Sequence, residues 1–136
     1  MRILAPAFIA TIASVGFVSS ALAADMTGAD IKALLSGKSI YLETTADSVA
    51  GKSGQGVIYY AEDGTSLYKT PAGPMWHGKW EIKDNTNCTA WTERPGTACS
   101  KYDKTGEVIS IIDSATGKTR AKIVKTAPGN PEKLAP

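Results

Sequence analysis

Between Ser39 and Lys125 the chain repeats one pattern: a short run rich in β-branched and aromatic residues, then a cluster of turn formers. The runs are "SIYLE", "GVIYY", "SLYKT", "MWHGKWEIK", "CTAWT", "ACSKY", "EVISIID" and "KTRAKIVK". Between them stand "EDGT", "PAGP", "DNTN", "ERPG", "DKTG" and "SATG". Runs this short, spaced this regularly, can bury a core only by pairing into one continuous sheet. The helices that would connect parallel strands are absent. The expected fold is therefore mainly β, an antiparallel meander of about eight strands forming a small barrel or a curled sheet.

One helix precedes the strands. In "MTGADIKALLSGKS", Thr27 is placed to cap and Asp30 follows three residues later. Ile31, Leu34 and Leu35 form one apolar stripe, and Gly37 suits a left-handed stop. Such a short helix needs the sheet to hold it. The "TTADSVAGKSGQG" stretch reads as a polar, glycine-rich loop. Asp63-Gly64 fits a two-residue type I′ turn, which would set Tyr60 opposite Leu67 and Tyr59 opposite Tyr68.

The first residues set an expected compartment. Arg2, an apolar stretch from Ile3 to about Val18, and the small-residue end Ala21-Leu22-Ala23 make the three-part pattern of a signal peptide. Cleavage is expected after Ala23, which takes 23 of 136 residues and leaves 113. The expected organisation is a signal peptide at 1–23, one β-rich domain at 24–125 and a disordered tail at 126–136. The tail is assigned so because "TAPGNPEKLAP" has three prolines and no apolar period. The location implied is periplasmic or secreted. No later segment is apolar enough to span a bilayer, so no stable membrane insertion is expected once the leader is removed.

Removing Arg2 from 15 basic and 13 acidic side chains leaves a formal charge of +1. No run of one sign appears, and nucleic acid is not an expected partner. Oligomeric state is left open by the sequence.

The stretch "HGKWEIKDNTNCTAWTERPGTAC" holds the single histidine and both cysteines. In "MWHGKWEIK", Trp76, Gly78, Trp80 and Ile82 fall on one face; His77, Lys79, Glu81 and Lys83 fall on the other. The first face reads as core, with Gly78 letting neighbouring rings come close. Trp76, Trp80, Tyr59 and Tyr68 are the aromatic candidates for core or ligand contact. His77 reads as a solvated strand residue, since a metal site gathers three or four ligands. No G-x-S-x-G turn presents a serine beside it. Cys88 and Cys99 flank a turn and are expected to bridge neighbouring strands. No catalytic set, metal site or cofactor is assigned.

Asp63-Gly64, then Gly78 and Trp80, then Cys88, Trp91 and Cys99, all behind a leader and a short helix, resemble the exported proteobacterial family known as domain of unknown function 995. That resemblance implies a periplasmic, lipocalin-like barrel or curled sheet and no assigned activity. G-x-W is also similar to the lipocalin and avidin pattern, where the tryptophan plugs one barrel end beneath a basic residue of a late strand. Here Trp80 lies mid-chain. "SGQGVIYY", through Ser53, Gly54 and Tyr59, resembles a strand motif of periplasmic inhibitors of C-type lysozyme. The expected role is a non-enzymatic binding or envelope protein for a small apolar ligand or a periplasmic protein. The alternative is a lysozyme inhibitor acting through Lys52 and Ser53, whose loop would meet active-site carboxylates.

Overall fold

The computed structural model describes residues 22–136 and, in isolation, Gly16. Apart from Gly16, Leu22 and Ala23, the leader assigned to residues 1–23 lies outside the described residues. The elements in chain order are β1 (Ala24–Asp25), α1 (Gly28–Leu35), β2 (Lys38–Thr44), β3 (Gly54–Tyr60), β4 (Thr65–Lys69), β5 (Met75–Lys83), β6 (Thr86–Trp91), β7 (Thr97–Thr105), β8 (Val108–Asp113) and β9 (Thr119–Pro128). The eight expected strands are β2 to β9. Each pairs antiparallel with the next, and β9 returns to pair with β2. The sheet is thus a closed eight-stranded up-and-down barrel, the small lipocalin-like architecture that the sequence implies. β1 is an extra strand, set beside the far half of β7 through Ala24↔Lys104 and Asp25↔Asp103.

Closure works because one face of every strand is apolar enough to fill a narrow interior. Ile40, Leu42, Ile58, Tyr60, Tyr68, Trp80, Trp91, Tyr102, Ile111 and Ala121 are buried in one cluster. Helix α1 adds Ile31 and Leu35, both with no exposed surface. Its cap is the expected one, with the Asp30 N–H donating to Thr27 Oγ1 at 3.2 Å. The Gly28 N–H donates to Asn85 Oδ1 at 2.8 Å, which ties α1 to the β5–β6 turn. The helix therefore stops that end of the barrel.

In β5 the expected alternation holds: Trp80 is buried, while Lys79 and Glu81 on either side are exposed. Gly78 is packed against. A Cβ there would lie 2.8 Å from the Ala90 carbonyl oxygen and from Trp91 Cε3, and 2.9 Å from Ser66 Oγ. Backbone and a buried ring cannot retreat cheaply, so Gly78→Ala is expected to destabilise the protein by about 1–3 kcal/mol. Urea denaturation of the variant checks this, and an unchanged midpoint would contradict the packing.

Two sequence expectations are corrected. The β3–β4 register is one residue away from the expected one: Tyr60 faces Ser66, Tyr59 faces Leu67 and Ile58 faces Tyr68. The cause is the turn. The Gly64 N–H donates to the Ala61 carbonyl at 3.1 Å and the Ala61 N–H to the Thr65 carbonyl at 2.8 Å. That is a three-residue loop with Gly64 as its bulge at φ +90°, not a two-residue type I′ turn. Tyr59 and Tyr68 consequently lie on opposite faces of the sheet.

The second correction concerns the tail. Residues 126–128 continue β9, and the chain then folds back over the outer face of the barrel. Leu134 is buried in a cluster with Val57 and Leu67, to which Tyr41, Tyr59 and Met75 add partly buried surface. The Asn130 side chain closes the turn, accepting from the Leu134 N–H at 3.0 Å and donating to its carbonyl at 2.8 Å. A single leucine and an Asn-based turn leave no period in the sequence, so the docking was not visible there.

Candidate binding cavity

Opposite α1, the barrel ends in the loops 45–53, 70–74, 92–96 and 114–118. Just inside lies a cavity of about 50 Å³. That is space for about four water-sized spheres. The barrel is therefore mostly filled, with a small chamber near one end. Aromatic rings form much of its wall: Tyr60, Tyr68, Trp91 and Tyr102. A second hollow of about 160 Å³ lies above it and shares Val49, Trp91, Ala98 and Arg120 as lining, so the two form a chamber and its mouth.

The loop 45–53 partly covers that mouth. Its Val49 packs against the core, and the Arg94 guanidinium from loop 92–96 donates to the Val49 carbonyl. Thr45 Oγ1 donates to the Thr119 carbonyl at 2.7 Å, and Lys118 Nζ lies 3.5 Å from Asp47 Oδ1. The backbone of this polar, glycine-rich loop is thus held from both sides.

Arg120 reaches the chamber through a bulge. Ile111 pairs with Ala121 and Ile112 with Thr119, which leaves Arg120 as an extra residue in β9. A bulge turns the side chain of the added residue away from strict alternation. Arg120 Nη2 lies 2.9 Å from Asp113 Oδ2, and Nη1 donates to Ser100 Oγ at 3.3 Å. The Arg120 hydrogen bond holds the Asp113 carboxyl below its usual value. Because the folded value is the lower one, this pair contributes stability above the unfolded carboxyl's range and loses it as pH falls. The parent is expected to lose stability more steeply than Asp113→Asn between about pH 5 and pH 2. Denaturation midpoints measured across that range check it; parallel curves would remove the pair from the account.

The chamber also holds a polar group that the sheet leaves half used. Asn87 is 3% exposed and donates through Nδ2 to the Tyr102 hydroxyl at 3.3 Å. Among the described residues, nothing reaches its Oδ1. The surrounding phenols are held in their protonated form. Burial, then the neighbouring Tyr102, pushes Tyr60 well above the ordinary tyrosine value. Burial raises Tyr102 and takes Tyr68 up to about 12. All three hydroxyls remain neutral donors at any pH the barrel would meet in use.

The expected site residues divide. Tyr68, Trp76 and Trp91 form one aromatic group, with centroids 5.6–6.2 Å apart. Trp80 lies deeper, towards the closed end, edge-on to Tyr60 at 5.4 Å, with its Nε1–H donating to the Ala61 carbonyl at 2.9 Å. It is a core residue outside the chamber. The late-strand basic residue, Arg120, stands at the opposite end from Trp80, unlike the lipocalin and avidin arrangement. Tyr59 is on the outer face beneath the tail and takes no part. Lys52 and Ser53 are exposed on the loop, and the Lys52 carbonyl accepts from Thr44 and Ser48 hydroxyls.

His77 is on the outside of the barrel, as read, but has a partner that the sequence did not suggest: its Nδ1 lies 2.6 Å from Glu93 Oε1. Desolvation pushes the Glu93 carboxyl up, but the hydrogen bonds from the His77 ring and backbone outweigh it and hold the group low. Among the described residues no group of three or more His, Cys, Asp or Glu side chains gathers to hold a metal ion. Cys88 and Cys99 are bonded, at 2.07 Å between sulfurs, and face each other directly across β6 and β7. Asn87, Tyr102 and Arg120 were missed as chamber residues. The sequence offered no signal for Arg120, and it placed Asn87 in a turn rather than at the start of β6. No family model, no curated protein and no solved structure matches this chain.

Proposed function

We propose that this chain is an exported, non-enzymatic binding protein of the bacterial envelope, whose barrel admits a small ligand through the mouth between loops 45–53 and 92–96. The observation that carries the reading is the chamber opening onto that mouth, with aromatic walls and hydroxyl, amide and guanidinium groups among its lining. These groups bind rather than transform. The single histidine, which a hydrolytic mechanism would want inside, is on the outer surface with Glu93. The Cys88–Cys99 bond supports an oxidising compartment. No described helix is long and apolar enough to cross a membrane.

Small-molecule probes titrated into isotope-labelled protein test the reading. Saturable shifts in the resonances of Asn87, Trp91 and Tyr102 are expected, and Ala98→Phe, which narrows the passage, should abolish them. Interior resonances that stay fixed at millimolar probe would end it.

A second reading is favoured by one observation. Lys52 and Ser53 are exposed, while the backbone beneath them is fixed by the Thr44 and Ser48 hydroxyls. A loop held in shape before binding loses less entropy when it enters a cleft. Stoichiometric inhibition of a C-type lysozyme, lost in Lys52→Ala, would support that reading; no inhibition at micromolar protein would remove it.

A further inference from the structure

We infer that the chamber and its mouth together select a small, neutral, single-ring molecule carrying both a hydrogen-bond donor and an acceptor, and discriminate against the bare hydrocarbon. The inference rests on the binding reading above and deepens it. Size sets the first limit: the chamber of about 50 Å³ is smaller than the roughly 150 Å³ that holds a benzene ring. A ring therefore lies across the chamber and the adjoining hollow of about 160 Å³, and a long-chain ligand is left no space. The aromatic wall of Tyr60, Tyr68, Trp91 and Tyr102 favours a flat ring.

Polarity sets the second limit. Asn87 is 3% exposed, lines the chamber, and has Oδ1 without a partner among the described residues. Arg120 lines the same chamber, and its buried Nε–H also lacks an acceptor there. One acceptor and one donor are therefore offered to whatever enters. Water can satisfy both while the chamber is empty. A hydrocarbon that displaced the water would strand both groups, which costs affinity on the order of tenfold to a hundredfold. A phenol or a carboxamide replaces those hydrogen bonds.

Charge sets the third limit. Arg120 is already neutralised by Asp113 at 2.9 Å, and the three phenols are uncharged. An entering ion would lose its hydration without gaining a free counter-charge.

The test is a panel of benzene, phenol, benzamide, benzoate and benzylamine, titrated into the labelled, disulfide-bonded protein and followed at the Asn87 and Trp91 side-chain N–H resonances. Phenol and benzamide are expected to bind at least about tenfold more tightly than benzene. Benzoate and benzylamine should each bind more weakly than benzamide. Asn87→Leu, which removes the amide at similar volume, should erase the preference over benzene. The parent panel decides the question even if that variant does not fold. Benzene equal to or tighter than phenol, or an ion as the tightest probe, overturns the inference while leaving the cavity as a binding site. If no probe moves the interior resonances, or only those of the outer face around Tyr59 and Leu67 respond, the binding reading itself fails, and the inference with it.

Discussion

Replacing Trp80 by alanine is expected to cost about 3–5 kcal/mol, a large share of the stability available to a domain of this size. The ring is only 8% exposed, stands edge-on to Tyr60, and satisfies the Ala61 carbonyl through its Nε1–H. Truncation removes the large apolar contact at the closed end and leaves the Ala61 carbonyl with the Gly64 N–H as its remaining donor. His77→Ala, on the opposite face of the same strand, should cost no more than about 1 kcal/mol, because the pair it makes with Glu93 is exposed to solvent. Chemical denaturation of the two variants settles the order. A Trp80→Ala protein as stable as the parent, beside a His77→Ala protein that unfolds, would mean that the faces of β5 are exchanged.

Breaking the Cys88–Cys99 bond should lower stability by about 3 kcal/mol, the value for a closed loop of about a dozen residues in the chain-entropy account. The pair sits where β6 and β7 share only a short ladder, from Asn87 to Ala90, before β7 turns away to β8. The bond lies on the outer face, since Cys88 also pairs with Glu81 and not with the inward tryptophans. The reduced chain should therefore keep its core and still form the barrel. Denaturation midpoints with and without reductant measure the loss. Equal midpoints would show that the bond adds nothing, and a reduced chain that never folds would show that the core alone is insufficient.

What the sequence made legible was whatever local periodicity controls. The cap at Thr27, the inward face of Trp76, Gly78 and Trp80, the two bridging cysteines and the eight strands all follow from patterns a few residues long. What it did not make legible depends on single-residue insertions or on distant partners. Asp63-Gly64 fits a two-residue turn and a bulged three-residue turn equally well, and the choice reverses the face on which Tyr59 falls relative to Tyr68. Arg120 looks like an outward charge in "KTRAKIVK" until the bulge turns it inward. Asn87 and Tyr102 become a pair only because β6 and β7 lie side by side. Polar residues of the chamber look like turn or rim residues one strand at a time, and closure alone brings them together.

The order of the strands has a consequence for how the chain reaches its fold. Of the nine strand pairings seven join neighbours in sequence; β1 with β7, and the joint between β2 and β9 that closes the barrel, unite segments far apart in the chain. Hairpins form within microseconds, whereas a non-local pairing has to overcome the loss of freedom of everything between its ends. The joint is thus the slow event. Until it shuts, β2 and β9 are two open edges, and β2 has the apolar inner face of Ile40 and Leu42 uncovered along one side. An unclosed sheet in that state can add a strand from another molecule as readily as its own. The same ladder that finishes the monomer, from Lys38↔Pro128 to Thr44↔Ala121, is therefore the place where two chains caught in mid-folding would exchange strands or aggregate.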